Sequence, residues 1–227
     1  MIHVTRLHNW NVTPSAAIEI QKTLADKVIR HDTFDKIQFV AGIDVGFEDN
    51  GRITRAAVCI LDSNTLQDIE RTIARRPTEF PYVPGLLSFR EIPAIIDALE
   101  KIKTIPQMLF CDGQGYAHPR RLGIASHLGI LTGLPSIGVG KSRLVGRHQT
   151  VPNTRGAWVP LVDNGETVGA VLRTRVNVNP LYISSGHKIA LESAVECVMR
   201  FVTRYKLPEP TRLADRLASR KTDLRKF

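Results

Sequence analysis

Apolar and polar positions along the chain change period in a readable order. Between residues 14 and 31, Ala17, Ile20, Leu24 and Val28 recur at helical spacing. Pro14 suits the first turn of such a helix, where a missing N–H costs nothing. Residues 37–47 and 54–62 switch to strand composition, and Asp49-Asn50-Gly51 between them carries the turn chemistry of a hairpin. A third strand at 66–76 continues the meander. The stretch Pro81-Tyr82-Val83-Pro84-Gly85 is too stiff for a helix or a central strand. Helical spacing returns at 88–103, where Ser88 and Glu91 have the form of a capping box. Residues 106–112 (PQMLFCD) are a short apolar run ending in an acid, as in a buried parallel strand. A glycine-rich loop at 113–118 leads to a helix at 119–132 and a strand at 135–140. Two strand-like runs follow within 157–176. A helix at 188–206 is broken by Pro208 and Pro210, and a basic helix at 211–221 comes last.

This order predicts an α/β fold: a mixed sheet with helices on its faces, and ligands gathering at the carboxyl ends of adjacent parallel strands. The 227 residues contain no repeat, low-complexity tract or linker, so the expectation is one unit over 1–227 with a short basic tail from about 219.

Composition adds little until charge is counted. Hydrophobic residues make up 43% and charged residues 23%, as in ordinary soluble proteins. The formal net charge is +9, from 31 Lys and Arg against 22 Asp and Glu, and polyanions are the natural partners, nucleic acid before an anionic membrane. The three cysteines, at 59, 111 and 197, lie in apolar runs without CxxC spacing and read as free thiols of a reducing compartment. No signal peptide and no long apolar span is visible, so the expected location is the cytoplasm, with no membrane partner.

Candidate chemistry begins with FVAGIDVGF at 39–47, which puts Asp44 in the middle of a buried strand. Asp is depleted in strands and rarely buried without a partner or a metal. Asp112 ends the strand that would lie beside it, and Glu91 projects from the helix between. Converging carboxylates raise one another's pKa, and a divalent cation removes that cost. Hard oxygen ligands suit Mg²⁺ or Mn²⁺. The competing readings are a buried ion pair for Asp44, a loop cap for Asp112 and a capping box alone for Glu91. Lys141 in SIGVGK leaves a strand end near these acids. GVGKS is not a phosphate-binding P-loop, because Pro135 stands where that motif needs its first Gly. Tyr82, held between two prolines, is either a rigid ring that stacks on bases or an edge of the core. Gly113, Gly115, Gly138 and Gly140 flank the candidate site as close-approach or plain turn residues, and His118, His127 and His187 sit near glycines or helix starts.

Taken together, GIDVGF at 42–47, PYVPGLLSFRE at 81–91, DGQGYAHPRRLGIASHLG at 112–129, IGVGKSRLVG at 137–146 and LYISSGHKIAL at 181–191 resemble the endonuclease V family. The strings run in order from about residue 15 to about 218. The resemblance implies a ribonuclease H-like fold, with a mixed sheet of five or slightly more strands flanked by helices on both faces. It implies that Asp44, Glu91 and Asp112 are metal-site acids and that Lys141 is the active-site lysine. Tyr82 would be the wedge, with Pro81, Pro84 and Gly85 around it, and His118 would stand close to the site. The flipped base would meet the loops of Gly113, Gly115, Gly138 and Leu144. In TRLADRLASR, Asp215 falls where some relatives carry His and is either a fourth ligand or a surface partner of Arg212 and Arg216.

The activity implied is Mg²⁺-dependent hydrolysis, with Mn²⁺ able to substitute, of DNA containing deoxyinosine. The cut falls at the second phosphodiester 3′ to the lesion, leaving 3′-hydroxyl and 5′-phosphate. Inosine-containing RNA is a further expected substrate, and a monomer the expected state. Three rivals remain at this point: an actin-like ATPase or phosphotransferase, a non-catalytic nucleic-acid binder, and a structure-selective nuclease of the same fold.

Overall fold

In the computed structural model, residues 2–219 are described. The expected tail and the end of the last expected helix, beyond 219, lie outside them. The meander forms as read: β1 (Phe39–Glu48), β2 (Ile53–Asp62) and β3 (Asp68–Pro77) pair antiparallel in sequence. β4 (Met108–Asp112) and β5 (Ser136–Gly140) then add in parallel beside β1. That is the five-stranded ribonuclease H-like order. The sheet does not stop there. β8 (Leu181–His187), β7 (Glu166–Leu172) and β6 (Trp158–Asp163) continue it antiparallel beyond β5, giving eight strands among the described residues in the order β3-β2-β1-β4-β5-β8-β7-β6.

Helices cover both faces. On one face α2 (Leu87–Leu99) and α3 (Ile124–Thr132) pack Ile92, Ile95, Leu99 and Leu128 on Ala41, Ile43 and Leu109. α1 (Pro14–Ala25) joins them through Ala17, near Phe89. On the other face α4 (Leu191–Phe201) and α5 (Glu209–Ser219) bury Val198, Phe201 and Ala214 against Val40, Phe110 and Ile183. Alternate strand residues face opposite sides, so one strand feeds both cores. No helix of the described residues is long and apolar enough to cross a membrane.

Several boundaries differ from the sequence pattern for physical reasons. α1 ends at Ala25, because Ile29 donates its N–H to His187 Nδ1 and accepts from Lys188 N instead of continuing the helix. The helix expected from 119 starts only at Ile124, since 118–123 is a turn with Arg121 at φ 56°. α4 begins at Leu191, because 181–187 is extended. Apolar periodicity does not reveal that strand. Its buried residues include Ser184, Ser185 and Gly186, which break any apolar pattern, and Ser184 Oγ accepts the Gly115 N–H at 2.8 Å. The capping box does not form. Leu86 is the N-cap of α2, Ser88 sits inside the first turn, and Glu91 is not part of a cap.

One contact positions the site more than any other. On β1, residues 42, 44 and 46 share the face that meets α5. A Cβ at Gly42 would lie 1.9 Å from Pro210 O, and one at Gly46 would lie 2.5 Å from Ala218 O. Two glycines thus let the α5 backbone rest on the strand, with Asp44 between them. Gly42→Ala is expected to destabilise the protein by about 2–3 kcal/mol through forced separation of α5 from β1, seen as a lowered urea midpoint.

Candidate active site

Strand register brings the acids together. Ile43 pairs with Cys111 in parallel, so Asp44 and Asp112 are neighbours one step further along. Asp112 pairs with Val139, and Lys141 follows two residues later from the same edge. α5, seated on Gly42 and Gly46, lowers Asp215 onto the pair. Carboxylate oxygens of Asp44, Asp112 and Asp215 all lie within 4.8 Å of one another.

The electrostatics are those of crowded acids. Burial first, and then the Asp112 charge, lift the Asp44 pKa to about 7, although Val45 N–H donates to Asp44 Oδ1 at 2.8 Å. Asp112 is raised mainly by burial, against the opposing pull of Lys141. The Lys141 ammonium lies 2.5 Å from both Asp112 Oδ2 and Asp215 Oδ1. Burial works against its charge, but its contacts with Asp112 and Asp215 prevail and raise its pKa. One lysine cannot neutralise three carboxylates. The set offers hard oxygens converging on one point with excess negative charge, and it fits a hard divalent cation.

Each expected site residue has a definite place. Asp215 is a member of the cluster and pairs with Lys141; Arg212 pairs with Glu209 instead. Glu91 is outside the tight set but close behind it. It stands on the buried stripe of α2, one turn before Ile95, and burial followed by the charges of Asp44 and Asp112 pushes its pKa up to about 8. A cavity of about 490 Å³ opens beside the cluster, lined on its far side by Gly85, Leu87, Gly113, His118, Ile124 and Leu144. Gly115 and Gly138 do not line it. They are packing residues: a Cβ at Gly138 would meet Gly115 N at 2.3 Å, and one at Gly115 would meet Ser185 O at 2.2 Å. Pro81 and Pro84 are also outside the lining and shape the loop that holds Tyr82 in solvent, 70% exposed.

His118 is buried and neutral, its pKa lowered to about 4 by burial and then by Arg120. Arg120 N–H donates to Nδ1 at 3.1 Å, so Nε2 carries the proton and donates to Gly85 O at 2.9 Å. Gly85 O also accepts from Arg120 Nη2 at 2.7 Å and Gln21 Nε2 at 3.1 Å. This clamp fixes the Tyr82 loop to the cavity. Sequence pattern alone does not assign Gln21 to the site; its one signal is a polar residue four positions after Ala17 on the buried stripe of α1. His127 and His187 are structural. The first meets His8 Nε2 at 2.8 Å and the second accepts Ile29 N–H.

The raised pKa values of Asp44 and Glu91 have a definite sign. The metal-free folded state holds protons there that the unfolded chain has released, so these groups favour folding below about pH 4 and this stability is lost as pH climbs through about 7 to 8. Calorimetry in chelator is expected to show Tm falling from pH 5 to pH 8. Added Mg²⁺ is expected to raise Tm more at pH 8 than at pH 6, because protons compete with the cation. Asp44→Asn is expected to raise the metal-free Tm at pH 8 and erase the Mg²⁺ response.

Similarity to known proteins agrees with this geometry. The family model described as Endonuclease V matches residues 22–216. An endonuclease V from Nostoc punctiforme is 59% identical over 217 residues, covering 95% of this chain and 98% of that one. The crystal structure of endonuclease V from Bacillus subtilis superposes with a TM-score of 0.91 at 31% identity, covering 96% of this chain and 95% of that one. Ciona intestinalis endonuclease V, solved in complex with a 23mer DNA containing an inosine followed by a ribo-adenosine, matches at TM-score 0.78 and 25% identity, covering 91% of this chain and 97% of that one. With the acids, the lysine and the sheet order in place over most of its length, the chain belongs to the endonuclease V family of DNA-cleaving nucleases.

Proposed function

We propose that this protein hydrolyses DNA strands containing deoxyinosine at the second phosphodiester 3′ to the lesion, using Mg²⁺. The observation that carries the reading is the Asp44–Asp112–Asp215 cluster set beside a cavity large enough for a base and flanked by the exposed Tyr82. Such a cation, once bound, would polarise the scissile phosphoryl group and stabilise the leaving 3′-oxygen. Asp44, Asp112 and Asp215 are the residues that would hold it. Glu91 holds a proton when no cation is bound; once the cation's charge has released that proton, its carboxylate accepts one from the attacking water. The water oxygen bonds to phosphorus, the P–O3′ bond breaks, the leaving 3′-oxygen takes a proton from solvent, and the products are a 3′-hydroxyl and a 5′-phosphate. Lys141 offsets the charge that grows on the phosphate oxygens. Tyr82 fills the gap in the stack while the lesion base enters the cavity, a move cheapest for a base that pairs poorly.

All these groups come from one chain, which supports a monomer acting as a single endonuclease unit. Three free thiols without a disulfide partner among the described residues suit the cytoplasm. The family assignment displaces the ATPase reading. Inosine-containing RNA is a second substrate of the same site, and a strand with a single ribo- or deoxyinosine compares the two directly.

End-labelled strands bearing one inosine are expected to be cut once, two phosphodiesters 3′ to the lesion, and chelator is expected to stop the reaction. A cut on the 5′ side, or cutting in chelator, would overturn the reading. Asp44→Ala is expected to lower the single-turnover rate by about 10³-fold or more while strand binding stays within a few-fold. Tyr82→Ala is expected to weaken binding to inosine DNA by about 10-fold and to undamaged DNA much less, measured by fluorescence anisotropy.

A further inference from the structure

The positive charge of this chain is gathered on one side of the acids. Segments 141–157, 173–180 and 202–208 contain Lys and Arg but no Asp or Glu. Strand directions bring all three to the edge that bears the site. β5 ends there, with Gly140 opposite Tyr182 at the start of β8. Leu172 at the end of β7 pairs with Leu181, and with Trp158 at the start of β6. The loops before β6 and between β7 and β8 therefore open on this edge, and α4 brings 202–208 to them.

The three segments are tied into one surface. Arg155 Nη2 donates to Val202 O at 3.0 Å, and Thr174 Oγ donates to Lys206 O at 2.8 Å. Asn153 and Asn177 bond reciprocally, Nδ2 to Oδ1 at 2.6 Å and backbone N to Oδ1 at 2.8 Å. Arg143, Arg175, Arg204 and Lys206 have no acidic side-chain partner among the described residues. Tyr205 is 43% exposed, and the Arg212 guanidinium lies 4.6 Å from its ring centroid. Arg212 is itself fixed by two bonds to Glu209, at 2.9 and 2.6 Å. An aromatic ring held in place beside cations that have no acidic partner among the described residues is the make-up of a nucleic-acid surface.

From β4 across β5 and β8 to β7, whose end leads to Arg175, is three strand spacings, roughly 14 Å, or a little under half a turn of B-form DNA. Tyr82 stands on the opposite flank, in the loop before α2, and the base cavity lies between, lined by Gly85 and Leu87 on that side and by Arg143 and Leu144 on the basic side. We infer that the surface formed by Arg175, Arg204, Tyr205 and Lys206 binds the DNA backbone 3′ of the cut. This rests on the proposed inosine reading, which places the lesion on the Tyr82 flank and the scissile bond at the acids. The strand leaving the acids then runs over the basic loops. The Lys206 pKa is lowered by burial and then by the charge of Lys141.

The test uses the full chain and inosine duplexes with a constant 5′ flank and 3′ flanks of about 12, 6 and 2 nucleotides beyond the cut, bracketing that half-turn. With the longest flank, Arg204→Ala/Lys206→Ala is expected to raise KM about 10-fold and to change kcat less. The deficit is expected to shrink as the 3′ flank is shortened. The slope of log affinity against log salt is expected to fall by about 1.8, for two phosphate contacts. Tyr205→Ala is expected to follow the same flank dependence, and Tyr205→Phe to stay near the parent. Thermal melting of each variant checks the fold. Undiminished affinity and salt slope, or a deficit that stays the same as the 3′ flank is shortened, would overturn the inference. If the parent failed to cut inosine strands, the proposed function would fall, while the salt slope on unmodified duplex would still decide whether these side chains meet phosphate.

Discussion

Three carboxylates within 4.8 Å of one another repel, and everything else about the site follows from how that repulsion is contained. Two of the acids are fixed by strand register and cannot retreat. The third rides on α5, which could relax away were it not pressed onto Gly42 and Gly46. Lys141 relieves part of the charge at one side of the cluster. What remains is an excess of negative charge at the carboxyl ends of parallel strands, open to a cavity. Burial is what gives this excess its force: in water the same acids would hardly notice one another, whereas here the Asp44 carboxyl is lifted to about 7.

The sheet edge acts as a rail along which distinct tasks are set side by side. On one flank, a proline-stiffened loop displays Tyr82, and the His118, Arg120 and Gln21 donors converging on Gly85 O hold it. In the middle stand the acids and Lys141. On the other flank, loops joined by asparagine and arginine contacts present cations that have no acidic partner among the described residues. Rigid elements hold every part, so little order has to be gained when a strand binds.

Much of this architecture is legible in residue order. The meander, the two parallel strands and α2 lie close to where periodicity puts them, and the depletion of Asp from strands marks Asp44 as unusual on composition alone. Local rules fail where tertiary packing outvotes them. Ser88 and Glu91 satisfy a capping box on paper, but the helix starts at Leu87, ahead of Ser88, and Glu91 feels the charges of the acids instead. Gly115 and Gly138 look like ligand-loop glycines yet serve backbone-to-backbone packing. β8 escapes an apolar pattern because serine and glycine make up much of its buried length.

Residue order alone settles the residue types: carboxylates on strand ends, a lysine after a glycine-flanked strand, a ring between prolines and a surplus of positive charge. Those are local properties of composition and spacing, and one chain read from end to end contains them. Folding in three dimensions is what makes Asp215 rather than Glu91 complete the close cluster, and what gathers the basic loops on one side of it. Both outcomes depend on the approach of segments far apart in the chain, set by which backbones can touch, and a one-dimensional pattern does not record the close approach of Pro210 to Gly42.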